Sequence, residues 1–156
     1  MGKFKFRLSS LLSIKEKMEQ LKKNEYAEAL LILNNLVFEK ENLISEMQNN
    51  IENMQLDLNS NLKPVQIIRY TNYIKIIKLR IKDIEVKITD ARAVSDQKRD
   101  SLIDAMKERK MLENLKEKDY KEFNIEENKE EQKFLDEITS YKVSDKIGGD
   151  DYGNAN

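Results

Sequence analysis

The stretch DLNSNLKPVQ, residues 57–66, holds the only proline of a 156-residue chain. No glycine occurs between positions 3 and 147. Compact folds place Gly and Pro at turn after turn. A chain with one Pro64, set in a cluster of Asn59, Ser60 and Asn61, has one planned interruption. Asn and Ser suit a helix end and a turn, and proline suits the first turn of the helix that follows, where its missing N–H costs nothing. The stretch therefore predicts helix, turn, helix.

Outward from Pro64 a repeat of seven supports that reading. Ile67, Ile74, Ile81 and Ile88 continue through Ser95, Leu102, Arg109, Lys116 and Phe123. Their companions are Tyr70, Ile77, Ile84, Ala91, Lys98, Ala105, Leu112 and Asp119. These are the a and d positions of a coiled-coil seam. Before the proline the pattern is looser. Leu8, Leu11, Ile14, Met18 and Leu21 form one run. Tyr26, Ala29, Leu33, Leu36, Lys40, Leu43, Met47, Ile51, Met54 and Leu58 form another, with stutters expected near Tyr26 and Ile51.

The expected fold is all-α, with helix one over about 4–59, a turn over about 60–63 and helix two over about 64–142. Together they make a single antiparallel coiled-coil domain, 1–142, with a disordered tail over 143–156. One continuous kinked rod, or a parallel dimer, is the competing arrangement. Charge favours folding back at about Leu62, which brings Glu39, Glu41, Glu46, Glu52 and Asp57 opposite Arg69, Lys75, Lys78, Arg80 and Lys82. It also brings the basic residues from Lys3 to Lys23 near Glu113, Glu117, Asp119, Glu122, Glu126 and Glu127. Charges beside a seam set its register and orientation.

Folding at Leu62 puts Phe4 opposite a residue near 120, so the end of helix two has no intramolecular cover. That overhang carries an apolar stripe of Phe134, Leu135, Ile138 and Tyr141. An isolated helix of this length is marginal in water, so a foreign surface is expected to cover it.

Composition narrows the function. Charged residues make up 37% of the chain and there is no Cys, His or Trp, which fits coiled coils rather than compact enzymes. The net charge of −1 lacks the basic excess of a general nucleic-acid binder. No run approaches a membrane span, and the basic start lacks a signal peptide's apolar centre, which predicts a cytoplasmic protein. Without His, Cys or a glycine-rich phosphate loop, the chain offers no catalytic site, metal site or cofactor site. It is not expected to be an enzyme. The segment at 69–82 joins Tyr70 and Tyr73 to five cations; a seam facing an acidic arm is its plainest reading, with nucleic acid, a membrane surface or a docking partner as the others.

Three ordered pieces resemble the flagellar export protein FliJ family. The first is FKFRLSSLLSIKEK, through Phe4, Phe6, Arg7, Leu8, Leu11, Leu12, Lys15 and Glu16. The second is DAMKERKMLENLKEKDYKEF, through Ala105, Arg109, Lys110, Leu112, Glu113, Leu115, Lys116 and Glu117. The third is EQKFLDEIT, through Gln132, Lys133, Leu135, Asp136, Glu137 and Ile138. The Ile- and Asn-rich middle and the Gly/Asp tail depart from the pattern.

The resemblance implies a component of the flagellar type III export apparatus, folded like the central stalk (gamma) subunit of rotary ATPases. It implies three partners: the central hole of the hexameric export ATPase, the export-gate membrane protein, and export chaperones. No nucleic acid or small-molecule ligand is implied, and the location is the cytoplasmic face of the membrane at the flagellar base. Phe4, Phe6, Arg7, Leu8, Leu11, Leu12, Phe134, Leu135, Ile138 and Tyr141 are the expected ATPase contacts. Tyr73, Ile74 and Ile77 match the family's aromatic near the turn and are the expected gate contacts. A structural coiled-coil adaptor is the alternative function.

Overall fold

The computed structural model describes residues 2–61 and 63–149, with side chains as far as residue 144. Two helices make up the fold, α1 (Ser9–Leu58) of 50 residues and α2 (Pro64–Gly149) of 86. They pack against each other as an all-α helical hairpin. Contacts group the chain into two compact units. One combines Met1–Lys15 with Glu108–Asn156, and the other is Glu16–Lys107.

The turn is built as its residues dictate. The last turn of α1 tightens, with the Asn59 and Ser60 amides donating to the Leu56 and Asp57 carbonyls at 3.2 and 3.0 Å. The Ser60 hydroxyl reaches the Asp57 carbonyl as well, at 3.2 Å. Asn61 then adopts a left-handed conformation (φ 64°), which Asn tolerates better than other non-glycine residues. Across the gap, Pro64 is the first residue of α2 and Lys63 caps it. The Lys63 carbonyl accepts from the Gln66 amide at 2.9 Å, while the Lys63 amide donates back to Gln66 Oε1 at 3.1 Å. That return bond is the carboxamide half of a capping box. Leu62, the expected pivot, lies outside the described residues.

In the unit formed by residues 16–107, the core is a run of isoleucines. Leu43, Ile77, Ile84 and Ile88 are buried together, packed by Leu33, Leu36, Val37, Met47 and Ile81. Ile77, at 1% exposure, is the most enclosed side chain. Along α2 the heptad reading holds closely. Tyr70, Ile74, Ile77, Ile81, Ile84, Ile88, Ala91, Ser95, Lys98, Leu102, Ala105, Arg109, Leu112, Asp119 and Phe123 are all buried or half-buried, whereas Ile67 and Lys116 are exposed.

Along α1 the structure corrects the sequence reading. One series of covered positions runs Leu8, Leu12, Lys15, Glu19, Lys22, Tyr26, Ala29, Leu33, Leu36, Lys40, Leu43, Met47, Asn50, Met54 and Asp57, flanked by half-buried Glu25, Leu30, Val37, Ile44, Glu46 and Ile51. The steps alternate between four and three without a break, so there is no stutter at Tyr26 or Ile51. Leu11, Ile14, Met18 and Leu21, expected on the seam, are exposed. The physical reason is register. Along α1 the seven-residue spacing carries unbroken from Ala29 back to Leu8, and it accepts Lys15, Glu19 and Lys22, whose stems can cover a seam.

The start of the chain is also different from expectation. Helix begins at Ser9, not near Phe4, and residues 2–6 are non-helical. Lys3, Lys5 and Arg7 are exposed while Phe4, Phe6 and Leu8 are covered. That alternation is the period of an extended strand-like segment, which puts Phe4 and Phe6 on one side. In a helix they would diverge. At the other end α2 runs to Gly149, past the expected boundary at 142. Once a helix is nucleated, each further residue needs only one bond. Residues 150–156 of the expected disordered tail lie outside the described residues.

The charge pattern is realised only in part. Cross-helix ion pairs join Lys98 to Glu25 (3.0 Å) and Lys40 to Glu85 (3.0 Å) in one unit, and Lys15 to Glu108 (2.5 Å) in the other. Glu113, Glu117 and Glu122, expected opposite the basic N-terminal segment, pair with Arg109, Lys121 and Lys118 along their own helix. Asp57 and Glu46, expected opposite cations, instead accept the Tyr70 and Tyr73 hydroxyls, the first at 2.6 Å. Neighbours three and four apart on one helix are simply closer to hand.

Candidate interaction surfaces

The unit formed by the two chain ends holds all ten of the expected ATPase contacts. Phe6 and Leu12 are buried, and Phe4 and Leu8 are half-buried. Phe4 meets the edge of Tyr120 (centroids 5.2 Å apart, planes at 74°) and the tilted ring of Phe123 at 5.6 Å. The Gly2 amide donates to Glu127 Oε1 at 2.9 Å. These aromatics are consumed by intramolecular packing. Of the six N-terminal candidates, only Arg7 and Leu11 present an exposed side chain.

Beyond Glu127 the cover stops. Every residue from 128 to 144 is exposed. Phe134, Leu135 and Tyr141 are exposed to 63, 61 and 76%, and Ile138 sits just above the half-buried range. Steps of one, three and three keep them on one helical stripe. Phe134 and Leu135 share a shallow groove of about 540 Å³ with Glu127, Glu130 and Glu131. The stripe is thus apolar with an acidic rim.

Near the turn the three expected gate contacts divide. Tyr73 is exposed, Ile74 is half-buried, and Ile77 belongs to the core. Ile77 can hold that surface in place but not form it. Tyr73 and Tyr70 line a shallow depression with Asn50, Asp57, Gln66 and Arg69. The carboxylate partners of both phenols, Glu46 and Asp57, stabilise the protonated hydroxyl, which pushes both tyrosines above the ordinary phenol range. Glu25, clasped first by Lys98 and then by Lys22, is held below the ordinary carboxylate range.

Sequence reasoning missed one surface. With the seam on the Tyr70–Ile77–Ile84 line, the opposite heptad position falls at Val65, Asn72, Leu79 and Val86. Coiled coils keep that position polar, and here three of its four residues are apolar and exposed. The signal was present in the repeat itself.

Among the described residues no group of His, Cys, Asp or Glu could hold a metal ion. No helix is long and apolar enough to cross a membrane.

The family model for the flagellar FliJ protein matches residues 4–148, nearly the whole chain. The chain belongs to the FliJ family, and with it to the components of flagellar type III protein export. No curated protein matches the chain. No solved structure matches it either.

Proposed function

We propose that this protein couples the flagellar export ATPase to the export gate. The uncovered stripe of Phe134, Leu135, Ile138 and Tyr141 enters the central hole of the hexameric ATPase, with Arg7 and Leu11 beside the same end of the chain. Seating one helix end at the centre of a ring, like the central stalk of rotary ATPases, promotes ring assembly and turnover. The turn end, with Tyr73 exposed beside Ile74, contacts the export-gate membrane protein and brings the chain to the cytoplasmic face of the membrane at the flagellar base. Export chaperones are escorted as further partners.

One observation carries this reading. Residues 128–144 are exposed throughout, yet four large apolar side chains recur there at helical spacing. Such a stripe is a partner surface. The acidic rim of Glu127, Glu130 and Glu131 calls for a cationic lining on the ring. For the ring's cycle to be altered, these contacts must be stronger in one ring state than in another.

The test mixes the purified chain with the export ATPase and measures turnover and ring formation, with and without truncation after Glu127. The full chain raises turnover or assembles rings and the truncated chain does not. Equal effects from both chains, or from neither while both remain helical by circular dichroism, would leave a structural coiled-coil adaptor in its place.

A further inference from the structure

The outward row on α2 has chemistry that the hairpin does not use. Val65, Ile68, Ile76 and Leu79 are all exposed, Leu79 to 67%. Between Lys63 and Lys82 there are six cations and no acid. Arg69, Lys75, Lys78 and Lys82 are exposed, and among the described residues none is engaged in an ion pair. In the seven-residue frame, Leu79 points directly away from the seam, Ile68, Lys75 and Lys82 lie along one edge of the row, and Arg69 and Ile76 lie along the other. Of the acidic residues of α1, Asp57 shares a shallow depression with Arg69, and Glu46 accepts the Tyr73 hydroxyl.

We propose that this face, residues 65–82, is a docking surface for an anionic phospholipid bilayer. A row of aliphatic side chains edged on both sides by unpaired Lys and Arg is the pattern of a helix lying in a membrane interface. The aliphatic residues enter the acyl boundary, and the cations reach lipid phosphates along their flexible stems. The geometry disfavours a third helix. From Val65 the row steps three, four, four and three through Ile68, Asn72, Ile76 and Leu79, with a polar Asn72 at its middle, and so breaks the alternation a coiled-coil partner needs. A surface on one convex helix also suits a deformable plane better than a protein lacking a matching groove. At Asp83 the first acid enters and the pattern ends.

This contact needs neither the ATPase nor the export gate, so it stands or falls apart from the coupling proposed above. The test is flotation of the full chain alone with phosphatidylcholine vesicles, with and without phosphatidylglycerol. The chain floats with the anionic vesicles and not with the neutral ones, and added salt releases it. Lys75→Glu with Lys82→Glu, and separately Leu79→Glu, lower the bound fraction by more than about tenfold. Phe38→Glu, at an exposed position on α1, leaves binding unchanged. Helicity by circular dichroism is measured for each variant, so lost folding is distinguished from lost binding. Equal partition onto both vesicle types, or an equal loss in Phe38→Glu, overturns the proposal. So does binding to single-stranded DNA or an acidic protein with no flotation.

Discussion

The ring of Phe4 stands edge-on to Tyr120, 5.2 Å between centroids, and closes the unit formed by the chain's two ends. Edge-to-face pairs contribute about 1 kcal/mol beyond their burial. Because Phe4 also leans on Phe123, Phe4→Ala is expected to cost about 2 kcal/mol in this unit. Urea unfolding measures the loss, and a double-mutant cycle with Tyr120→Ala isolates the pair. Simple additivity of the two changes would mean that the rings touch without supporting each other.

The isoleucine core should be the least forgiving part of the hairpin. Ile77→Ala removes the most enclosed side chain and is expected to cost about 3 kcal/mol. Ile67→Ala, one heptad outside the covered seam, is expected to cost less than about 1 kcal/mol. Thermal melts of the two variants give the comparison directly.

At the turn, the stability of α2's first residues depends on a return hydrogen bond. Gln66→Ala deletes the acceptor for the Lys63 amide and is expected to destabilise by about 1 kcal/mol, as loss of a helix cap does. Asn61→Gly should be neutral or slightly stabilising, because glycine occupies a left-handed conformation without a Cβ penalty. A β-branched residue at the same position, Asn61→Val, should cost more than Gln66→Ala.

Acid should loosen the clasp on Glu25. Lys98 and Lys22 hold its carboxyl below the ordinary range, so folding favours the ionised form. The contribution is present above the unfolded carboxylate pKa of about 4.3 and is lost as pH falls through the lowered folded value. Glu25→Gln should therefore flatten the acid limb of a stability–pH curve and leave its neutral plateau shape alone. The raised Tyr70 and Tyr73 work in the opposite sense. Their contribution is present below the unfolded phenol pKa, near 10, and disappears as pH rises through the higher folded value. An unchanged acid limb in Glu25→Gln would show that the clasp is too solvated to matter.

The architecture was legible because one proline, no central glycine and an isoleucine heptad leave few alternatives. At the seam positions of α2, apolarity and burial coincide from Tyr70 to Ala91, while Ile76, Leu79 and Val86 on the outward face are apolar and exposed. In α1 they part company between Leu8 and Tyr26. Two stripes compete there, and the more apolar one, Leu11 to Leu21, loses to the one in register with the rest of the helix. Local hydrophobicity could not reveal that, because the seven-residue spacing set by the rest of α1 decides it. The extended start was readable in the alternation of Lys3 to Leu8, but its short length let the helical period absorb it. Cation positions alone did not show which charges would pair, since same-helix neighbours compete with cross-helix ones. The overhang was legible from counting back to Leu62, and residues 128–144 are exposed as that count implies.

The coupling account is tested most directly by placing a photo-crosslinking side chain at Ile138 and, separately, at Val86, then illuminating each protein with assembled export ATPase. The account predicts an adduct with the ATPase from position 138 that disappears when Leu135→Glu is added, and none from position 86. An adduct from position 86 with none from 138 would contradict it, because the uncovered end of α2 would then not be the part that meets the ring.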